Sequence, residues 1–310
     1  MAVTSPGERL SAVSLPATRG LSGLLVSARP AQWVKNLVLP LPFLFGGALS
    51  SARGWQLAAA GFAVFCAITS AIYLVNDVMD RERDRAHPVK RRRPLAAGEL
   101  SVTTAIAAAA LLGIAGLAAA FLLSARFGRW SALYAVLMLG YSLWLKSIPF
   151  LEALIVAAGL PLRALAGAAL ADLTPSSFLT GCAYLLALFL VIGKRQWELQ
   201  NAGHVSSSEH RPVLASYRRE GLDFLFVVTA LSTVAAYSAY TVVPSTISMH
   251  GQSLAITIPF VVLGVARYVR LVYRRGGGGS PTQALLIDDP WILLIVLGWV
   301  AAAAWTIYAR

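Results

Sequence analysis

Three aspartates at helical spacing are the first residues in this sequence whose arrangement indicates chemistry. Asp77, Asp80 and Asp84 follow a long apolar run, and on a continued helix they fall within about 60° of one another. Stacked carboxylates repel one another unless a cation joins them, and hard oxygen ligands suit Mg²⁺, which bridges carboxylates to substrate phosphates. The spacing predicts that these three residues are catalytic and hold Mg²⁺. The same residues also fit a solvated helix end in which Asp77 pairs with Arg81.

A block of cations follows the aspartates directly. Those that we predict to bind substrate are Arg85, Lys90, Arg91 and Arg93. Guanidinium and ammonium groups beside a Mg²⁺ site form a pocket for phosphate, in which the metal and the cations share the oxygens. A cationic block also marks the cytoplasmic side of a membrane protein and attracts anionic lipid headgroups. His87, within the block, is interpreted as a loop hydrogen-bond donor and not as a ligand or base.

A second polar group, Lys194, Arg195 and Glu198, ends a later apolar run. Either its cations complete an anion pocket opposite the aspartates, or Lys194 and Glu198 form a local ion pair on one helix face. Arg163 lies inside another apolar run, where an ionisable group is costly unless it faces a cavity or a partner. It is therefore a candidate for the site, and its alternative is a structural arginine bonded to carbonyl groups. Glu152 lies too far along the same run to pair with it directly.

Near the start of the chain, Arg29, Gln32 and Asn36 share one face of a predicted helix, with Trp33 and Lys35 beside them. An aromatic residue beside a cation at a membrane interface is ordinarily an anchor. This segment is therefore predicted to lie at the membrane surface.

The elements that must position these residues are membrane helices. The chain of 310 residues is 57% apolar and only 13% charged, whereas an ordinary soluble domain carries roughly 25% charged residues. Its net charge of +12 falls in short blocks between apolar runs, which argues against a nucleic-acid partner. Because a spanning helix needs about twenty apolar residues, we predict an all-α, polytopic membrane protein with nine spans. They lie near residues 34–51, 56–76, 102–124, 128–146, 150–171, 177–194, 222–243, 252–272 and 289–309.

Lysine and arginine concentrate in the loops of one side, which predicts a cytoplasmic N-terminus by the positive-inside rule. This orientation places two long polar loops, residues 77–101 and 194–221, on the cytoplasmic face of the plasma (inner) membrane. Residues 1–28 are predicted to form a flexible cytoplasmic tail, and residues 29–310 a single membrane-embedded catalytic domain. The active site is expected to face the cytoplasm, and a homo-oligomer is left open.

The run from Asn76 to Asp84 resembles the first signature of the UbiA superfamily of membrane prenyltransferases, an Asn-Asp-x-x-Asp-x-x-x-Asp motif after the second of nine helices. Members usually carry a second Asp-x-x-x-Asp motif after the sixth helix, and the two motifs hold a prenyl diphosphate through Mg²⁺. This chain departs from that pattern, because two cations and one acid stand in the second place. The departure is similar to one branch, the decaprenyl-phosphate phosphoribosyltransferases. Segments that carry this similarity are 29–36, 73–91, 93–94, 163–164, 193–195, 198–199, 216–217, 259–260 and 267–268.

The resemblance implies a UbiA-type bundle and Mg²⁺-dependent transfer of 5-phosphoribosyl from phosphoribosyl diphosphate to a polyprenyl phosphate such as decaprenyl phosphate. Diphosphate is released, and the product would supply arabinan precursors of the cell wall. The resemblance also implies that Tyr73, Asn76, Lys35 and Asn36 bind substrate, with Lys35, Lys194 and Arg195 near phosphate groups. The alternatives are a UbiA-type aromatic prenyltransferase with a prenyl diphosphate donor and a membrane lipid transporter.

Overall fold

A computed structural model describes residues 18–87, 89–200, 217–250, 253–274, 281, 284 and 289–308. Every regular element within these segments is helical. The α-helices are α1 (Thr18–Ala28), α2 (Leu41–Phe45), α3 (Ala52–Met79), α4 (Arg81–Ala86), α5 (Pro94–Ala97), α6 (Val102–Leu123), α7 (Ala125–Leu143), α8 (Leu151–Leu170), α9 (Ser177–Gln200), α10 (Arg219–Val242), α11 (Pro244–His250), α12 (Ile258–Tyr273) and α13 (Pro290–Tyr308). Short 3₁₀ helices cover Pro30–Val38, Ala48–Ser50, Lys90–Arg92, Leu145–Ser147 and Ala255–Thr257.

Seven helices of the described segments are long and apolar enough to cross a membrane. They are α3, α6, α8, α9, α10, α12 with the 3₁₀ turn before it, and α13. Helix α7, with 19 residues, occupies the place of the predicted fourth span. The prediction of an all-α membrane bundle is confirmed, whereas the count of nine spans and the cytoplasmic N-terminus remain predictions.

The predicted first span, residues 34–51, is not one helix. It is divided among a 3₁₀ helix, the five-residue α2 and a second 3₁₀ helix. Pro40 and Pro42 lack the backbone N–H that would continue a helix, and Gly47 adopts a φ of 71° that ends one. Lys35 and Asn36 therefore lie on the 3₁₀ helix Pro30–Val38 and not within a straight span.

Two predicted polar segments contain more structure than expected. Helix α1 lies within the predicted tail and packs against α3 and α5, while residues 1–17 lie outside the described part of the chain. Helix α9 continues to Gln200, well into the predicted loop 194–221, of which residues 201–216 are not described. Lys194, Arg195 and Glu198 consequently sit on a rigid helix end.

The bundle is built from two packed groups of helices that meet at α8. One core cluster joins α3, α6 and α7 to the middle of α8, where Phe65, Phe127 and Leu162 are buried. The other joins α9, α10 and α12, with Phe189 stacked on Phe226 at 5.1 Å between ring centroids. Apolar burial of this kind fixes each helix end relative to its neighbours. The two groups thus bring the ends of α3 and α9 towards the same region.

Gly167 sets how closely the Pro30–Val38 segment approaches α8. A Cβ atom at this glycine would lie 2.0 Å from the carbonyl oxygen of Leu39, so alanine cannot be accommodated without moving the backbone. We expect Gly167→Ala to destabilise the protein by about 1–3 kcal/mol through overpacking. The measurement is the midpoint of thermal unfolding in detergent. Gly181→Ala is the matched control, since its Cβ would meet no atom within 4 Å, and an equal midpoint in both variants would contradict the expectation.

Candidate active site

Asp77 and Asp84 are buried and lie around one guanidinium group. Nη1 of Arg93 donates to Asp77 Oδ1 at 3.3 Å and to Asp84 Oδ2 at 2.7 Å. Arg29 donates a further hydrogen bond to Asp77 from Nη2, and its guanidinium lies 4.9 Å from the ring centroid of Tyr73. The structure therefore brings two of the three predicted aspartates together and surrounds them with positive charge.

Asp80 does not join this pair. Its carboxylate Oδ1 lies 2.6 Å from Nζ of Lys146, in the connection between α7 and α8. The predicted geometry assumed one continued helix, but α3 ends at Met79, and Asp80 has φ −91° and ψ 2° before α4 begins. Asp80 stands at this break, where its side chain pairs with Lys146 while Asp77 and Asp84 share Arg93. Accordingly, no group of three potential metal-ligating side chains is found in the described residues.

The remaining predicted cations of this region differ in exposure. Arg85 is exposed, donates to Glu82 and to the carbonyl of Ala96, and so stabilises the loop. Lys90 is half-buried and Arg91 is exposed on the 3₁₀ turn before Arg93. His87 accepts hydrogen bonds through Nδ1 from the backbone N–H groups of residues 89 and 90. His87 thus has a loop role, but as an acceptor and not as the expected donor.

Arg195, at the end of α9, is committed to carboxylates. Its Nε and Nη2 atoms donate to the two oxygens of Glu152 at 2.6 Å each, and Nη1 donates to Glu198. Arg195 and Glu152 are both fully buried, so each charge requires the other. Lys194 lies 3.9 Å from Glu198, a looser contact. Of the two predicted cations, Arg195 therefore holds α9 against α8, whereas the contact of Lys194 with Glu198 is the longer one.

Arg163 is buried in α8 and bonded to neutral acceptors. It donates to Asn36 Oδ1 at 2.9 Å, to the carbonyl of Gly159 at 2.6 Å and to the hydroxyl of Tyr134 at 2.6 Å. In the described part of the chain it forms no ion pair with a carboxylate. Asn36 in turn donates to Thr69 on α3 at 3.2 Å. This network fixes Asn36 and leaves the positive charge of Arg163 without a counterion among the described residues.

Lys35 adjoins the same network from the 3₁₀ helix Pro30–Val38. Burial is the main cause that lowers the pKa of its amine to about 7, and the positive charges of Lys194, Arg163 and Arg29 contribute to this shift in that order. Three elements therefore direct cations towards one region, and mutual repulsion there favours an anion. Asn76 and Tyr73 are partly buried on the last turns of α3.

An apolar cavity of about 810 Å³ is lined in part by the three elements that carry these cations. Val38, Ala164 and Leu190 line it, and each is within one helical turn of Lys35, Arg163 or Lys194. Its further walls come from α2, α9, α10, α12 and α13, including Phe45, Tyr237 and Trp299. Its volume is in the range of about 300–1,000 Å³ found for ligand sites. A molecule with an anionic head and a long apolar tail matches this arrangement.

Sequence reasoning left three site residues out. Arg29 was placed on a helix face with Asn36, but it has a φ of 54° before the 3₁₀ helix begins, and this conformation brings it to Asp77. Lys146, in the connection after α7, contacts Asp80, and Glu152, in the first turn of α8, contacts Arg195. Neither residue belongs to a motif. For Lys146 and Glu152, the only signal in the sequence was a charged residue next to apolar ones. Lys146 lies at the end of an apolar helix, and Glu152 lies just inside an apolar run.

The sequence profile of the UbiA prenyltransferase family matches residues 39–287. This chain belongs to the UbiA prenyltransferase family. Family membership, together with the relatives described next, makes the chain a transferase.

Two curated relatives of this UbiA-family chain carry the same name. Decaprenyl-phosphate phosphoribosyltransferase of Mycolicibacterium smegmatis is 32% identical over 99% of both chains. The enzyme of that name from Corynebacterium glutamicum is 33% identical over 92% of this chain and 87% of its own. Among solved structures, a UbiA homolog from Archaeoglobus fulgidus bound to GPP and Mg²⁺ has a TM-score of 0.69 at 20% identity, covering 92% of this chain and 99% of that one. That likeness establishes the shared fold.

Proposed function

We propose that this protein transfers the 5-phosphoribosyl group of phosphoribosyl diphosphate to decaprenyl phosphate or a similar polyprenyl phosphate, with release of diphosphate. The observation that carries the proposal is the group of cations, Lys35, Arg163 and Lys194, on three elements that also line the apolar cavity. In the usual UbiA pattern an acidic motif follows the sixth helix, whereas here the end of α9 adds positive charge. The names of the two curated relatives support the same reaction.

The donor's diphosphate is assigned to the aspartate side of the site. Asp77 and Asp84 already hold a cation, the guanidinium of Arg93, between their carboxylates. These hard oxygen donors fit Mg²⁺, and when bound it would neutralise the diphosphate as it leaves. Asp80 fits less directly, because Lys146 holds its carboxylate. Arg29 and Arg93 are then free to turn to phosphate oxygens.

The acceptor's phosphate is assigned to the cations Lys35, Arg163 and Lys194, and its isoprenoid chain to the apolar cavity. A bond forms between an acceptor phosphate oxygen and C1 of the ribose, while the bond from C1 to the diphosphate oxygen breaks and diphosphate takes the electron pair. The acceptor oxygen is already anionic, so no strong base is required. Holding both anions in reach and balancing the changing charge are the contributions of this chain.

The same proposal places the site at the cytoplasmic face of the plasma membrane. The cationic segments around Arg93 and Lys194 lie together at one end of the bundle, where the positive-inside rule places cytoplasmic loops. Residues 29–310 then act as one catalytic domain, in which phosphoribosyl diphosphate arrives from the aqueous side and the lipid from the bilayer.

The deciding assay uses purified protein with labelled phosphoribosyl diphosphate and decaprenyl phosphate in detergent. We expect a labelled lipid product and stoichiometric diphosphate in the presence of Mg²⁺, loss of both with EDTA, and recovery on adding Mg²⁺ back. A parallel reaction receives a prenyl diphosphate and 4-hydroxybenzoate. Consumption of that pair without any lipid-linked pentose phosphate would refute the proposal and favour the aromatic prenyltransferase.

A further inference from the structure

Residues 144–152 connect α7 to α8 and include the first two residues of α8; this segment, called the α7–α8 connection below, contacts the aspartate side of the site. It contains the 3₁₀ turn Leu145–Ser147, and Lys146 Nζ lies 2.6 Å from Asp80 Oδ1. Both side chains are about four-fifths shielded from solvent, with exposures of 21% and 20%. An ion pair in such a position restricts both partners more than an exposed pair does. The α7–α8 connection therefore holds the broken end of α3.

The other end of the α7–α8 connection holds α9. Glu152 is fully buried and meets Arg195 through two hydrogen bonds of 2.6 Å. Bidentate pairs of this kind fix the relative orientation of the helices that carry them. Arg195 is adjacent to Lys194, so the position of Lys194 depends on the Glu152 contact.

Between these two anchors the backbone makes a turn that L side chains rarely adopt. Phe150 has a φ of 62°, and its N–H donates to the hydroxyl oxygen of Tyr217 at 2.9 Å. The two rings meet edge-on, with 4.8 Å between centroids. Strained residues persist where the surroundings determine them, and they cluster at functional sites. Tyr217 thus stabilises the turn that joins the Lys146 contact to the Glu152 contact.

We propose that the α7–α8 connection is a third part of the active site, which sets the spacing between the aspartate side and Lys194. Lys146 and Glu152 are positioning residues in this role: they act through Asp80 and Arg195 and do not touch the substrates. This inference rests on the proposed function, because the two sides must hold donor and acceptor phosphates at reacting distance. Transfer between two bound anions is sensitive to misplacement by as little as an ångström.

Lys146→Met tests the aspartate contact. We expect kcat/KM for phosphoribosyl diphosphate to fall about tenfold to a hundredfold, and Lys146→Arg, which keeps the charge, to recover most of it. Because Lys146 acts through Asp80, the double variant Lys146→Met with Asp80→Asn should be no worse than Asp80→Asn alone. Arg126→Met is the control, since it removes a 2.7 Å ion pair with Asp172 at the opposite ends of the same two helices. Additive losses in the double variant would overturn the proposal.

Amide hydrogen exchange provides a readout that does not depend on catalysis. Lys146→Met should speed exchange across residues 76–86, and Arg126→Met should not. Tyr217→Phe keeps the ring but removes the hydroxyl that binds Phe150, and it should speed exchange across residues 145–152 and 192–200. Tyr217→Phe is used instead of a Glu152 variant, because loss of Glu152 would leave Arg195 buried without its partner and risk misfolding. Unchanged exchange in both variants overturns the proposal. If wild-type protein makes no lipid-linked product yet exchange responds as expected, the proposed function fails and the positioning role stands.

Discussion

Asp77→Asn is expected to reduce transfer to decaprenyl phosphate by about 10²–10³-fold in kcat. The side chain of Asp77 is only 3% exposed and accepts hydrogen bonds from both Arg29 and Arg93. An asparagine amide keeps the size of the carboxylate but not its charge. It therefore binds Mg²⁺ poorly and removes the counterion that Arg29 and Arg93 share, so that Arg93 keeps only Asp84. The departing diphosphate therefore loses the electrostatic stabilisation that the Asp77 side of the site would provide.

Turnover of the Asp77→Asn variant is measured with labelled phosphoribosyl diphosphate, together with Mn²⁺ binding by electron paramagnetic resonance as a probe of the metal site. We expect Mn²⁺ affinity to fall in parallel with turnover. Asp172→Asn is the control, because its carboxylate is 89% exposed and pairs only with Arg126 among the described residues. Normal turnover by Asp77→Asn would mean that Asp77 serves only the ion pairs with Arg29 and Arg93 and not the transfer.

The fold was predictable wherever an apolar run is long and uninterrupted. Helices α3, α6 and α9 follow directly from such runs, since a membrane-spanning segment must satisfy its own backbone hydrogen bonds. The segment 34–51 was not predictable by the same rule. Its composition is apolar enough, but Pro40, Pro42 and Gly47 convert it into short turns, and a window of average hydropathy does not register backbone geometry.

The candidate site was predictable in its residue types and much less in its pairings. Helical spacing indicated Asp77 and Asp84 as site residues. The cationic block indicated Arg93, which contacts both aspartates. The Lys146 contact with Asp80 and the Glu152 contact with Arg195 join residues 66 and 43 positions apart. Periodicity along one helix carries no information about such contacts, because they depend on how α8 packs between the two helix groups. This is why the acid and cation roles of single residues could be expected while their partners could not.

Lys35 is expected to make phosphate binding pH-dependent above pH 7. In the empty site the pKa of the Lys35 amine is about 7, because burial and the neighbouring cations Lys194, Arg163 and Arg29 disfavour its charged form. The amine therefore carries its proton below pH 7 and loses it as the pH rises. A bound anionic phosphate favours the charged form of the amine and therefore raises its pKa in the complex. Between the two pKa values, binding must take up one proton.

The consequence for kinetics is a KM that rises with pH by up to about tenfold per unit above pH 7. The range from pH 7.5 to 9 isolates this effect, since a phosphate monoester with a second pKa near 6 is already a dianion there. Lys35→Arg keeps a positive charge at every pH, so its KM should be low and independent of pH. Lys35→Met carries no charge, so its KM should also be independent of pH but about tenfold or more higher at pH 7.5.

Measuring KM for decaprenyl phosphate and for phosphoribosyl diphosphate separately shows which phosphate Lys35 contacts, because only that substrate should respond to pH. Titration calorimetry in buffers of different ionisation enthalpy then counts the protons taken up on binding. A wild-type profile as flat as that of Lys35→Met, with no proton uptake, would mean that the amine stays away from both substrates. In that case Lys35 serves the packing of the 3₁₀ helix Pro30–Val38, and Arg163 and Lys194 would have to bind the substrate phosphate without it.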